Sequence, residues 1–229
     1  MAESYPQRAF AVPPDATEVV LVRHGASAAA VPGEPFESLE GQSDPPLAPE
    51  GARQAQAVAA RLAHEPFAGL FVTPLKRTAE TAAPLAAATG HDPVVVPELR
   101  EVRLGEWEGG ELRIRAAERD PLFFEVIEAE RWDAIPGAEP AEEFAERVRI
   151  GLAKVIEAVG PGAVAVAVVH GGVIGELARQ ATRSRPFAFV HSDNASITRL
   201  VVFAGGRQLL RSFNDVAHLG DQSGFVALK

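Results

Sequence analysis

Two hydrophobic periods share this chain: short unbroken apolar runs, and stripes at helical spacing. The first run, Val19-Val20-Leu21-Val22, leads straight into Arg23-His24-Gly25. It predicts a buried strand from about 18 to 22 that turns at its carboxyl end, the edge where open α/β sheets place their sites. A core strand whose Arg and His merely face solvent is the plainer alternative. Ala55, Val58 and Leu62 fall on one face of a predicted helix over 49–63. Gly69 to Val72 reads as a strand, and Thr73-Pro74 reads as the cap and first residue of a helix over about 74–88, with Arg77 in its first turn. Val94 to Val96 is a third strand. Phe144, Val148, Leu152, Val155 and Val159 form the clearest amphipathic stripe, on a helix opened by Pro140 or Glu142 and closed by Gly160-Pro161-Gly162. The seven apolar residues Ala163 to Val169 predict a central parallel strand, which ends at His170-Gly171-Gly172 and runs into another helix. Ser196 to Phe203 and Gln208 to Phe213 flank Ala204-Gly205-Gly206, a hairpin signal.

Strands alternating with helices place the chain in the α/β class. The expected architecture is a three-layer α/β/α sandwich around a mostly parallel mixed sheet with one antiparallel edge strand. No boundary divides 1–229, so a single domain is expected, with residues 1–17 and 215–229 as irregular arms. Pro32, Gly33 and Pro35 keep 26–48 from forming a helix, and a loop of that length is usually functional. The charged segment 98–110 reads either as a solvated loop or as one shaped by its glycines at 105, 109 and 110. Residues 111–132 read as two short helices broken at Pro121, covering one end of the domain with Phe123, Phe124 and Trp132. That cover mixes apolar and acidic groups and suggests a substrate with a neutral or apolar body.

Composition narrows the chemistry. The 229 residues are 47% hydrophobic and 23% charged, as in ordinary globular proteins, and contain no cysteine, which removes disulfides and thiolate catalysis. A formal charge of -9 argues against nucleic acid as a partner. Residues 1–15 lack a signal-peptide pattern, and no apolar run approaches the roughly 18 residues that cross a bilayer. A cytoplasmic protein without a membrane partner is therefore expected.

Arg23, His24, Arg77, Glu101 and His170 are the polar groups that the predicted elements bring toward one sheet edge. Two arginines suit a phosphoryl group, because each offers paired donors and stays charged at working pH. Paired histidines could instead hold zinc, but two fixed guanidiniums would oppose a dication. Neither Ser27 nor Ser196 lies in a nucleophile elbow, and no phosphate-loop motif occurs.

These residues sit in blocks that together resemble the histidine phosphatase superfamily, the phosphoglycerate mutase-like family. Leu21-Val22-Arg23-His24-Gly25, with Ser27 following, resembles its signature. Gly41 to Leu47 with Gly51, Thr73 to Ala82, Leu99-Arg100-Glu101 with Gly105 to Gly109, and Val168 to Gly172 resemble its later blocks in order, over about residues 19–175. The resemblance implies a metal-independent phosphomonoester hydrolase that uses no cofactor and acts on a small phosphorylated metabolite. It implies His24 as the nucleophile that becomes phosphohistidine and Glu101 as the proton donor, later the base that activates water. Arg23, Arg77 and His170 would hold the phosphoryl oxygens, with Ser27 adding a hydroxyl donor. His24 would be neutral and His170 protonated. Ala30 stands where such proteins often carry Asn. The short interval from Glu101 to His170 resembles phosphatase members more than mutases, although mutase-type transfer and an inactive phosphate-binding protein stay open, as does a homodimer.

Overall fold

The computed structural model describes residues 4–220. Residues 4–13 have no regular structure, and β1 (Thr17–Arg23) begins the sheet. A two-stranded hairpin follows, β2 (Ser38–Leu39) and β3 (Gln42–Ser43), then α1 (Pro49–Leu62), β4 (Gly69–Val72), α2 (Lys76–Thr89) and β5 (Val94–Val95). Next come 3-10 turns at Pro97–Leu99 and Gly105–Trp107, α3 (Glu111–Glu118), α4 (Pro121–Ala129), a turn at Trp132–Ala134 and α5 (Ala141–Val159). β6 (Val164–Val169), α6 (Gly171–Thr182), β7 (Ile197–Val202), β8 (Gln208–Asp215) and a last turn at Ala217–Leu219 complete the order.

The main sheet has the order β5-β4-β6-β1-β7-β8. β5, β4, β6 and β1 pair in parallel, while β7 runs antiparallel to both β1 and β8, so the expected antiparallel edge is the β7–β8 hairpin. Strand alternation sorts the core into two layers. Val19, Leu21, Ala165 and Val169 pack with Phe144, Val148, Leu152 and Val155 of α5 and Val173 and Leu177 of α6. Val20, Val22, Val166 and Val168 pack on the opposite face with Val58 and Leu62 of α1 and Leu85 of α2. The three-layer sandwich follows from this division.

Three local expectations need correction. The segment 26–48 is not all loop: Glu40 and Gly41, both at positive φ, turn β2 into β3. α2 starts at Lys76 rather than 74, because Leu75 is extended at ψ 133°. Its first N–H donates to Asp44 Oδ1 (2.7 Å), so a distant carboxylate replaces the local threonine cap. The expected C-terminal arm is ordered at its start: β8 reaches Asp215, and Leu219 packs on the α1 side of the core. The rest of that arm, 221–229, lies outside the described residues.

Candidate active site

β1 and β6 are parallel neighbours in the register Arg23↔Val169, so the residue after each strand emerges at the same edge. His24 N–H donates to the Val169 carbonyl (3.0 Å), and the His24 and His170 ring centroids lie 5.2 Å apart. Gly25 must be glycine for the next turn, since a Cβ there would lie 2.6 Å from the Gly51 carbonyl oxygen at the start of α1.

His24 is 5% exposed. Its Nδ1 lies 2.8 Å from the Gly25 carbonyl oxygen, which can only accept, so Nδ1 carries the proton and Nε2 keeps its lone pair. Arg77 Nε donates to that Nε2 (3.3 Å) and Arg77 also donates to the Ser43 carbonyl (2.8 Å). Burial, reinforced by the charges of Arg77 and Arg23, holds the His24 pKa well below its ordinary 6.5. Burial likewise lowers Arg77 to about 10, still charged at neutral pH.

His170 is fully buried, with Nε2 3.0 Å from Thr73 Oγ1. Burial and then Arg77, His24 and Arg23 push its pKa well below 6.5 as well. In the unliganded site burial and two guanidiniums disfavour the cationic form of both histidines, so the opposite charges expected of them need a bound anion to protonate His170. Three buried polar atoms here have no hydrogen-bond partner: Arg23 Nε, His170 Nδ1 and Ser192 Oγ. Unsatisfied buried polar groups are uncommon, and these three gather at one strand edge.

Arg23, His24, Arg77 and Glu101 line a cavity of about 350 Å3. Glu101 leaves the turn after β5, and its Oε2 accepts the N–H of Gly172 in the first turn of α6 (3.1 Å), while Oε1 accepts that of Val102 (3.0 Å). Gly172 permits this approach, because a Cβ would stand 2.3 Å from Glu101 Oε1. The neighbouring acids have other occupations. Glu98 pairs with Lys154 (2.6 Å), and Glu108 accepts from Ser43 N–H (2.7 Å) and Leu104 N–H (2.8 Å).

Ser27 does not line the cavity. Its hydroxyl oxygen accepts from Arg113 (2.7 Å), which also donates to the Ala28 carbonyl (2.9 Å). Arg113, on α3, brings a third guanidinium to the cavity wall, a placement no local motif signalled. Ser192 was equally illegible, since nothing in its surrounding sequence marks it. Arg147 was missed too, and there the signal existed: an arginine beside the α5 stripe. Its guanidinium donates to the carbonyls of Glu98 (2.7 Å), Arg100 (2.8 Å) and Glu101 (3.1 Å), and it forks onto the buried Glu139. Burial raises Glu139, but the Arg147 fork outweighs it and the net pKa is lowered. Among the described residues, no three His, Asp or Glu side chains gather closely enough to hold a metal ion.

A sequence model of the histidine phosphatase superfamily (branch 1) matches residues 19–216. Phosphoglycerate mutase-like protein 4 of Arabidopsis thaliana is 31% identical over 218 residues, covering 93% of this chain and 90% of the plant protein. The solved structure of a mycobacterial glucosyl-3-phosphoglycerate phosphatase is 28% identical and superposes with a TM-score of 0.72 over 87% of this chain and 99% of the other. Phosphoglycerate mutase from Bacillus anthracis superposes at 0.73 over 90% of this chain and 96% of its own, with 22% identity, a likeness of fold.

Proposed function

Because the chain belongs to the histidine phosphatase superfamily, we propose that it is a metal-independent phosphomonoester hydrolase working through a phosphohistidine on His24. The observation that carries this reading is the His24 tautomer: the Nδ1 bond to Gly25 leaves Nε2 as a buried, neutral nucleophile beside Arg77. Nε2 attacks phosphorus as the ester P–O bond breaks, and Glu101 gives its proton to the departing oxygen. In the second half Glu101 takes a proton from water, whose oxygen attacks phosphorus while the P–N bond breaks and phosphate leaves. The covalent step divides one displacement into two, with the carboxyl group reversing its role.

Arg23, Arg77 and His170 stabilise the phosphoryl oxygens, and Arg23 Nε and His170 Nδ1 have no protein partner that competes for them. A dianion bound there favours protonated His170, so the opposite charges expected of the histidines belong to the liganded state. Ser27 acts through Arg113 rather than on phosphate itself. The likeness to a phosphatase at 28% identity supports hydrolysis. Mutase-type transfer is the second reading, favoured by the name of the plant relative.

The test is phosphate release from a panel of monoesters with EDTA present, comparing native protein with His24→Ala. Release that persists in EDTA and falls by about 10⁴-fold or more in the variant is expected for loss of a nucleophile. Isomerisation of phosphoglycerates without phosphate release would establish the second reading instead.

A further inference from the structure

A second cavity, of about 530 Å3, adjoins the one at His24: Val102, Trp132, Gly172 and Val190 line both. The shared wall includes Val102 and Gly172, whose N–H groups donate to Glu101, so it begins beside the group that protonates the leaving oxygen. An alcohol departing past Glu101 has this second space in front of its carbon skeleton. Trp132 and Phe187, with ring centroids 4.6 Å apart, and Phe144 supply its apolar surface.

Charge divides the two spaces. At the first, Arg23, Arg77 and Arg113 face Glu101 and Glu108, an excess of cations suited to a phosphoryl group. At the second, Glu130, Asp133, Glu139, Glu142 and Glu176 stand against Arg131 and Arg179. Both arginines are occupied by neighbouring carboxylates, Arg131 by Asp133 (2.6 Å) and Arg179 by Glu176 (2.7 Å). Glu139 and Glu130 are themselves held by Arg147 and Arg185, so every cation around this lining already has a carboxylate partner, and an anionic group entering it would be desolvated without a free cation to meet.

Resting on the phosphatase reading above, we infer that this second cavity is the leaving-group subsite, and that favoured substrates are phosphate monoesters of a bulky, ring-bearing alcohol carrying no negative charge. Its volume suits a ligand body larger than a three-carbon acid.

Three probes test this: phenyl phosphate, 2-naphthyl phosphate and 6-carboxy-2-naphthyl phosphate. The first two have leaving groups of similar acidity and differ by one ring; the third adds only an anion. For the native protein, kcat/KM for the naphthyl ester should exceed that for the phenyl ester by about tenfold or more, and the carboxylate should remove most of that gain. Ala145→Trp, which fills the second cavity from α5, should bring the naphthyl-to-phenyl ratio near one. Glu142→Lys should raise the ratio of carboxylated to plain naphthyl ester by about fivefold. Equal kcat/KM for all three esters, with His24-dependent turnover intact, overturns the subsite and leaves the phosphatase reading standing. If no ester turns over, that reading fails, and binding of 2-naphthyl phosphate to the His24→Ala protein decides the subsite alone. Binding weakened about tenfold by adding Ala145→Trp supports it; binding unchanged by that substitution overturns it.

Discussion

Two histidines 5.2 Å apart at equivalent strand ends differ in what their nitrogens touch. A backbone carbonyl fixes the His24 tautomer and leaves Nε2 for attack, whereas Thr73 occupies His170 Nε2 and leaves Nδ1 unpartnered. The same logic selects among Glu98, Glu101 and Glu108. Glu98 and Glu108 are bound to partners of their own, and Glu101 alone of those three reaches across to the α6 N-terminus at the cavity wall. Glu101→Gln should therefore lower kcat for an alkyl phosphate by about 100-fold or more, and for p-nitrophenyl phosphate by less than about tenfold, because an activated phenol leaves without protonation. Equal losses on both esters would mean that another group supplies the proton. The residue types in these blocks are visible in the sequence; which nitrogen keeps its lone pair and which acid reaches α6 at the cavity wall are matters of three-dimensional neighbours.

At the scale of elements, α5 does more than bury its stripe. Arg147 emerges beside Val148 and reaches three carbonyl acceptors around Glu101, at 98, 100 and 101, so one helix sets the backbone of the loop that carries the acid. Its fork to Glu139, which is 2% exposed, leaves a buried carboxylate if the arginine is removed. Arg147→Met is expected to cost about 3 kcal/mol in urea unfolding, because buried Glu139 would keep only the Arg103 N–H (3.2 Å) and a 3.8 Å ion pair with the Arg103 side chain. It should also reproduce the leaving-group dependence of Glu101→Gln, with alkyl esters slowed most. Lost stability with an unaltered leaving-group profile would make Arg147 a purely structural residue. The α5 period was legible because an apolar stripe needs only the helical repeat. The α2 start was not, because Asp44 caps it from 32 residues away and releases Thr73 to meet His170.

For the whole molecule, enclosing two neutral histidines ties folding to pH. Both have folded pKa values well below 6.5, while the unfolded chain titrates them near 6.5. Above 6.5 both states leave them neutral and their full contribution is present. Below 6.5 the unfolded chain takes up protons that the folded protein refuses, so stability falls as pH drops from 6.5 toward the folded values. Between pH 6.5 and 5.5 the pair should account for at most about 2 kcal/mol of lost stability at 25 °C. Urea unfolding at the two pH values measures it, and His24→Gln with His170→Gln should flatten the dependence; an equally steep loss in that double variant would assign it to other groups.

The alternation of buried strands with amphipathic helices, the motif blocks from Arg23 to His170 and the antiparallel end of the sheet were determined by local sequence. Periodicity and short-range glycine and proline chemistry encode those features within a few residues. The third arginine at 113, the tertiary cap from Asp44, the clamp by Arg147, the unpartnered Ser192 hydroxyl and the lowered pKa of both histidines were decided only by the fold. Each depends on groups far apart in the chain meeting in a region of low dielectric, where a hydrogen bond or a charge counts for more than it does in water. Sequence order names the chemical groups of this site, and packing sets their protons and partners.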